Sequence, residues 1–278
     1  MVSQTVRPDS IEAIADLVAG AHRVYHLQPH PFRGLAASAA MDGTWLDLSR
    51  WSGVVHHYAD DQTVVVRAGT SLSELQAALA GARQTIPWAQ LDGPALDSDI
   101  TTLIGLNLPH PLMAQHGTWR DWVLGMTVVR ANGTVVKLGS RAVKNVAGYD
   151  GTRLLTGSRG IFGIVIEATL RTYPLGGLAT LDLQLGREDV VHCIYRLQRA
   201  DVELECERLA ESLVAYDRAA HTLYLSQAVP APLPHAHRWE VGKPPAQSTA
   251  VSALRVAMKR ALDPDDKLNP GEYDEVVA

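Results

Sequence analysis

Five glycines, Gly148, Gly151, Gly157, Gly160 and Gly163, crowd into one short stretch that runs straight into the strand-like Ile164-Val165-Ile166-Glu167. No other stretch constrains the chain as much. Glycines at 157, 160 and 163 carry no Cβ, so the backbone can turn sharply and a flat ligand can approach it closely. The strand that follows offers backbone N–H and C=O groups that could meet an adenine edge. A tight entry into a strand uses the same glycines, and these residues alone leave the two readings open.

The surrounding pattern reads as an α+β fold. Asp9 and Glu12 form a capping box ahead of a helix that places Ile11, Ile14, Ala15 and Val18 on one face and ends near Gly20. A strand-like run, Val24 to Leu27, leads into Gln28-Pro29-His30-Pro31-Phe32-Arg33-Gly34, a loop because neither proline suits a strand interior. Short strands fit Trp45 to Leu48 and Thr63 to Arg67. Gly69 then turns the chain into a helix with a second capping box, Ser71 and Glu74, and a buried face of Leu72, Leu75, Ala78 and Leu79. Residues 86–119 are rich in Pro, Gly and Asp and show little periodicity, which marks a long irregular stretch of functional use. Met126 to Leu138 reads as a hairpin, with Asn132-Gly133 tolerating the positive φ of a tight primed turn. Residues 161–173 read as a strand.

Beyond Pro174 and Gly176-Gly177 the composition changes. Leu181 to Leu185 and Thr222 to Ser226 read as strands, Val202 to Val214 as a helix, and residues 229–245 as a proline-rich loop. A last helix runs from about Ser248 to Leu262 and stops at Asp263-Pro264. The expected division is an α+β unit over 1–174, a small α/β insert over 175–247, and a return to the first unit over 248–278.

Twenty-five basic against thirty acidic residues give a formal net charge of −5, which argues against nucleic-acid binding through a basic stripe. The first residues lack the apolar core of a secretory signal, and no run approaches the length of a membrane span. Cys193 and Cys206 match no zinc spacing and read as small buried thiols, so a reduced cytoplasmic setting is the expectation. His235-Ala236-His237 has no third ligand placed by sequence, and His56-His57 reads as a partly exposed strand pair. No Gly-x-Ser-x-Gly elbow, Walker loop or Gly-x-Gly-x-x-Gly turn is present.

The ordered string changes the weight of its parts. Arg120-Asp121-Trp122-Val123-Leu124-Gly125, the hairpin at Asn132-Gly133, Lys144-Asn145-Val146-Ala147-Gly148-Tyr149-Asp150, and Gly157 to Glu167 occur in a set order and spacing. Together they closely resemble the FAD-binding domain of vanillyl-alcohol-oxidase (p-cresol-methylhydroxylase) type, and most of all the E-type subunit of bacterial glycolate oxidase. Asp263-Pro264-Asp265-Asp266-Lys267-Leu268-Asn269-Pro270-Gly271 resembles that family's return to the flavin domain. The resemblance covers roughly residues 40–174 and 255–273.

It implies a two-lobed FAD-binding fold with a reduced cap, FAD as cofactor, and a small 2-hydroxy acid as substrate. The implied partners are flavin-bearing and iron–sulfur subunits of a glycolate-oxidase-like complex. A hydride would leave the substrate's α-carbon for flavin N5, the flavin carrying the hard chemistry. The implied cofactor contacts are Thr101, Thr102, Asn107 and Gly117 in the second phosphate-facing loop. Gly157, Gly160, Gly163, Ile164 and Val165 supply the adenine side, and Asn269 the return. Lys144 and Asn145 either position a substrate or flavin carbonyl or pin the turn that carries Gly148. His30, His110 and His116 are loose candidates for covalent flavin attachment, and the catalytic residues are not assigned.

The chain departs from the family at the phosphates. Pro29 and Pro31 have no N–H to donate. Thr101-Thr102 stand where the family has a Gly-Gly pair, Asn107 and Gly117 match it, and Pro109-His110 replace the residues around an intervening glycine. Each unmade charged hydrogen bond costs about 1.5–3 kcal/mol, so two or three such losses weaken FAD by about two to six orders of magnitude unless new contacts replace them. A rival reading follows: a non-catalytic structural or regulatory subunit that keeps the fold with weakened or lost flavin.

Overall fold

The computed structural model describes residues 2–28, 42–88, 98–108, 110, 112–140, 150–177, 183–185, 191, 193–197, 202–217, 221–227, 236–240 and 249–272. The chain starts with β1 (Val2–Val6), α1 (Ile11–Gly20), β2 (Val24–Tyr25) and β3 (Gly43–Leu46), whose strands form a parallel sheet in the order β1-β3-β2. Helix α1 buries Ile14 and Val18 on one side. Its cap is Ser10, whose hydroxyl accepts Ala13 N–H, and not the expected Asp9.

A larger antiparallel sheet comes next: β4 (Val54–Tyr58), β5 (Thr63–Arg67), β7 (Val123–Val129), β8 (Val135–Gly139) and β9 (Ile164–Arg171), in the order β4-β5-β9-β7-β8. Val64 and Val66 of β5 are fully buried and Val65 is not, the alternation of a one-sided strand. The expected capping box of α2 (Leu72–Ala80) is present in both halves: Glu74 N–H reaches Ser71 Oγ and Ser71 N–H reaches the Glu74 carboxylate. The hairpin β7–β8 also forms, but by a longer loop than a two-residue primed turn. Strand pairing stops at Val129 and Val135, and of Asn132 and Gly133 Gly133 alone takes a positive φ, +81°.

Residues 86–119 differ most from expectation. Between β6 (Gln84–Thr85) and β7 the chain forms three short helices, α3 (Ile100–Leu106), α4 (Met113–His116) and α5 (Trp119–Trp122), although residues 89–97 lie outside the described ones. Every residue of α3 is buried, and a helix buried all round has no polar face to show a period. After α6 (Gly151–Leu155) and β9, β10 (Tyr173–Pro174) pairs with β6.

The chain goes on through β11 (Leu183–Leu185), β12 (Cys193–Leu197), α7 (Val202–Arg208), β13 (Leu213–Asp217), β14 (Thr222–Leu225) and β15 (Ala236–Glu240), in the sheet order β11-β13-β14-β12-β15. Strand β12 was not expected, the Val202 to Val214 helix ends at Arg208, and β15 occupies part of the expected loop. One face of this sheet carries Cys193, Tyr195, Leu197, Leu223 and Leu225 with Cys206 of α7. The other face sends Ile194, Ala215 and Tyr224 into the main core. Both cysteines are buried, as expected.

The last helix, α8 (Thr249–Leu262), ends where the Lys259 ammonium donates to Asp263 and to the Leu268 carbonyl, all buried. The chain then lies along β2: Val24 N–H donates to Lys267 O and Asn269 N–H to Val24 O, each at 2.8 Å. No helix among the described residues is long and apolar enough to cross a membrane.

Candidate functional site

The residues singled out by sequence gather around α3. Asp99 caps its start, Oδ1 accepting Thr102 N–H at 2.8 Å, and is itself only 2% exposed. The other early donors are also used. Ile100 N–H donates to Thr70 O, Thr101 N–H to Ala68 O and Leu103 N–H to Asp99 O, each at 3.0 Å. The hydroxyl of Thr101 donates to Val165 O at 3.0 Å, and that of Thr102 accepts Gln28 N–H at 2.9 Å. Gln28 closes the circle, its Oε1 accepting Asp99 N–H at 3.2 Å.

At the other end Asn107 turns left-handed, with φ 45° and ψ 51°. The carbonyls left over at this end are met by the glycine motif: Gly157 N–H donates to Ile104 O and Arg159 N–H to Gly105 O, both at 2.9 Å. Gly157 and Gly160 have positive φ, +78° and +71°. A Cβ on Gly160 would fall 2.4 Å from His26 Nε2 and 2.5 Å from Asn269 Nδ2, so that glycine is required by the chain's own packing. A Cβ on Gly157 would meet nothing nearer than Asn107 Cβ at 3.5 Å. Gly163 lies against Val128 at the start of β9, and Ile164 and Val165 pair with Val129 and Val128. The β5 register ends at Glu167, so the other edge of this strand start meets Ala68 and Thr101 of the α3 region.

Asn269 is a clasp between segments. Its Oδ1 accepts His26 N–H and its Nδ2 donates to Arg159 O, both at 3.0 Å. Arg159 in turn pairs with Glu272 at 2.9 Å, both side chains almost wholly buried. Gly117 stands apart as the C-cap of α4, and its carbonyl takes the Nε2–H of His110 at 2.9 Å. His110 is stacked on Trp88 and tilted on Trp122. Burial drives its pKa down to about 4, with the Gly117 bond opposing and His116 assisting. It is therefore neutral at pH 7, with its proton on Nε2.

Two acceptors in this region have no partner among the described residues, Asn107 Oδ1 and His110 Nδ1. Buried acceptors are normally bonded, so Asn107 Oδ1 beside Gly157 is the atom that a ligand amine or hydroxyl would complete. Lys144 and Asn145, Pro29 and Pro31, and His30 and His235 lie outside the described residues, and no metal-ligating cluster is present among the described ones. His56 and His57 lie on strand β4, where His57 Nε2 bonds Gln84. Sequence reading missed Asp99 and Gln28. An Asp immediately before an apolar run is a helix-start signal that would have found the first.

Residues 2–139 match the family described as FAD binding domain. Among curated proteins, the glycolate oxidase subunit GlcE of Escherichia coli is 31% identical over 134 residues, 48% of this chain and 37% of that protein. A D-2-hydroxyglutarate dehydrogenase of Xanthomonas citri is 31% identical over 225 residues, 77% of this chain and 47% of that protein. The mitochondrial cytochrome-type D-lactate dehydrogenase of Arabidopsis thaliana is 37% identical over 133 residues, 48% of this chain and 23% of that protein. The chain thus spans less than half the length of these relatives. Among solved structures, an alkyldihydroxyacetonephosphate synthase superposes with a TM-score of 0.53 at 16% identity, over 73% of this chain and 35% of that one, a likeness of fold.

Proposed function

The chain belongs to the FAD-binding family of vanillyl-alcohol-oxidase type, whose cofactor is FAD, and from that premise we propose that it is a subunit of an FAD-linked oxidoreductase complex of glycolate-oxidase type, acting on small 2-hydroxy acids. The observation that carries this reading is the glycine motif in its family setting. Gly157 and Arg159 cap α3 from one side and lead directly into β9, leaving Asn107 Oδ1 as a buried acceptor at the turn. Relatives named for glycolate, D-lactate and 2-hydroxyglutarate point to one substrate class, a carboxylate with a hydroxyl on the adjacent carbon.

The site fits FAD unevenly. Asn107 and Gly157 fit a flat, hydrogen-bonding ligand end, whereas the start of β9 is already bonded on both edges, to β7 and to Ala68 and Thr101. Thr101 and Thr102 do not fit a pyrophosphate, because their hydroxyls and the neighbouring N–H groups already have partners within the chain. When bound, FAD supplies a two-electron acceptor, and the protein's part is orientation and electrostatics. Neutral His110 holds no proton that it could give up near pH 7, so it serves packing and hydrogen bonding here.

The bonded state of α3 favours a second reading, a partner subunit that keeps the fold and leaves the flavin to another chain. Purifying the full chain with excess FAD and recording the flavin absorbance bands separates the two. Yellow protein that turns over glycolate or D-lactate with a dye acceptor supports the flavin-bearing form. Colourless protein that takes up no FAD supports the partner form.

A further inference from the structure

We propose that Gln28, Asp99 and Thr102 form a closed clasp across the two segments that the family opens to the FAD pyrophosphate, and that FAD reaches this end of the site only by displacing the Asp99 carboxylate. The inference rests on the reading of this fold as an FAD site and concerns how that site is kept shut. Gln28 follows β2, where the first phosphate-facing segment begins. Asp99 and Thr102 belong to the second. Three hydrogen bonds join them, Gln28 N–H to Thr102 Oγ1, Asp99 N–H to Gln28 Oε1 and Thr102 N–H to Asp99 Oδ1.

The clasp does two things to an arriving dinucleotide. It occupies donors, since the N–H groups of Gln28, Asp99 and Thr102 are bonded within it, while those of Ile100, Thr101 and Leu103 and the Thr101 hydroxyl are bonded elsewhere in the chain. It also sets the nearly fully buried Asp99 carboxylate between the two segments. Like charges at close range in a poorly solvated place repel strongly. A cofactor pyrophosphate could bridge the two segments, and here side chains bridge them already.

The test uses the full chain. Wild type, Asp99→Asn and Asp99→Ser are titrated with FAD, followed by flavin fluorescence and by ultrafiltration. Riboflavin and adenosine, which carry no pyrophosphate, are titrated alongside. Asparagine keeps the acceptor for Thr102 N–H and loses the charge. Serine is an uncharged helix cap, so it carries the test if the asparagine variant melts out.

The expected result is FAD binding tighter by about tenfold to a hundredfold in the variants, shrinking as salt is raised, with riboflavin and adenosine unchanged. Equal or weaker FAD binding in both variants overturns the clasp. If wild type already binds FAD tightly, that outcome leaves the flavoprotein reading standing. An equal gain for adenosine or riboflavin overturns the clasp as well, because the effect would then not lie at the pyrophosphate. Uptake by none of the three proteins overturns it together with the flavin-bearing form.

Discussion

The two ends of α3 meet the rest of the chain on opposite terms. At the N-terminal end the backbone N–H groups from Asp99 to Leu103 are all bonded, and a buried carboxylate stands among them. At the C-terminal end the carbonyls are capped by Gly157 and Arg159, yet neutral acceptors on Asn107 and His110 are left buried without partners among the described residues. A ligand can add a bond at the second end. At the first it must take the place of one. A family fold can therefore keep its shape at one end of a site by retaining the family's backbone, and at the other by replacing the ligand with its own side chains.

The strongest way to break the comparison is to remove what holds the glycine motif against the C-terminal return. Arg159→Ala removes one partner of this buried ion pair, and should cost about 3–5 kcal/mol in urea denaturation. If the cost is under about 1 kcal/mol, the return is not what fixes that end. Acid should act on the same end. His110 binds its proton near 6.5 when unfolded and near 4 when folded. The unfolded chain therefore takes up the extra proton between those values, so stability falls as pH drops from about 6.5 to about 4. The loss should be on the order of 3 kcal/mol and disappear in His110→Phe.

The two glycines sharpen the contrast on a smaller scale. Gly160→Ala must both hold φ +71° and push into His26 and Asn269, and should cost about 2–4 kcal/mol. Gly157→Ala has room and meets only the left-handed strain, about 1 kcal/mol. Thermal melts of the pair give the difference directly. At the N-terminal end, Asp99→Ala should lose about 0.5–2 kcal/mol as a removed cap, while Asp99→Asn stays close to wild type in stability.

The parts of the fold legible in the sequence are those that carry a period or a cap. Strand β5 lies at the expected Thr63 to Arg67, a run of three β-branched valines, and α2 starts at the Ser71–Glu74 box. Helix α3 was not legible because burial on all sides erases the stripe, and β12 because its alternation is hidden by apolar residues on both faces. The glycine motif was legible as unusual backbone. Its use as the cap of α3 was not, because the helix it caps lies some fifty residues earlier and had not been recognised. The threonines stand out in the sequence as bulky residues where glycines are expected. The carboxylate beside them went unnoticed, since a lone Asp before Ile100 becomes informative only once Gln28 is seen to lie against it.

The hydrogen bond from His26 N–H to Asn269 joins positions 243 residues apart. At about 5–20 residues per second, a ribosome needs roughly 10–50 seconds to pass from one to the other. Throughout that interval the edge of β2 has no neighbour on the side where Leu268 will lie. The first sheet of the nascent chain therefore waits, unfinished on one edge, until the segment around Leu268 has been made. An open strand edge is a template for pairing with other chains. Yield during expression should thus depend on how well that edge is shielded while synthesis runs, quite apart from the stability of the finished protein.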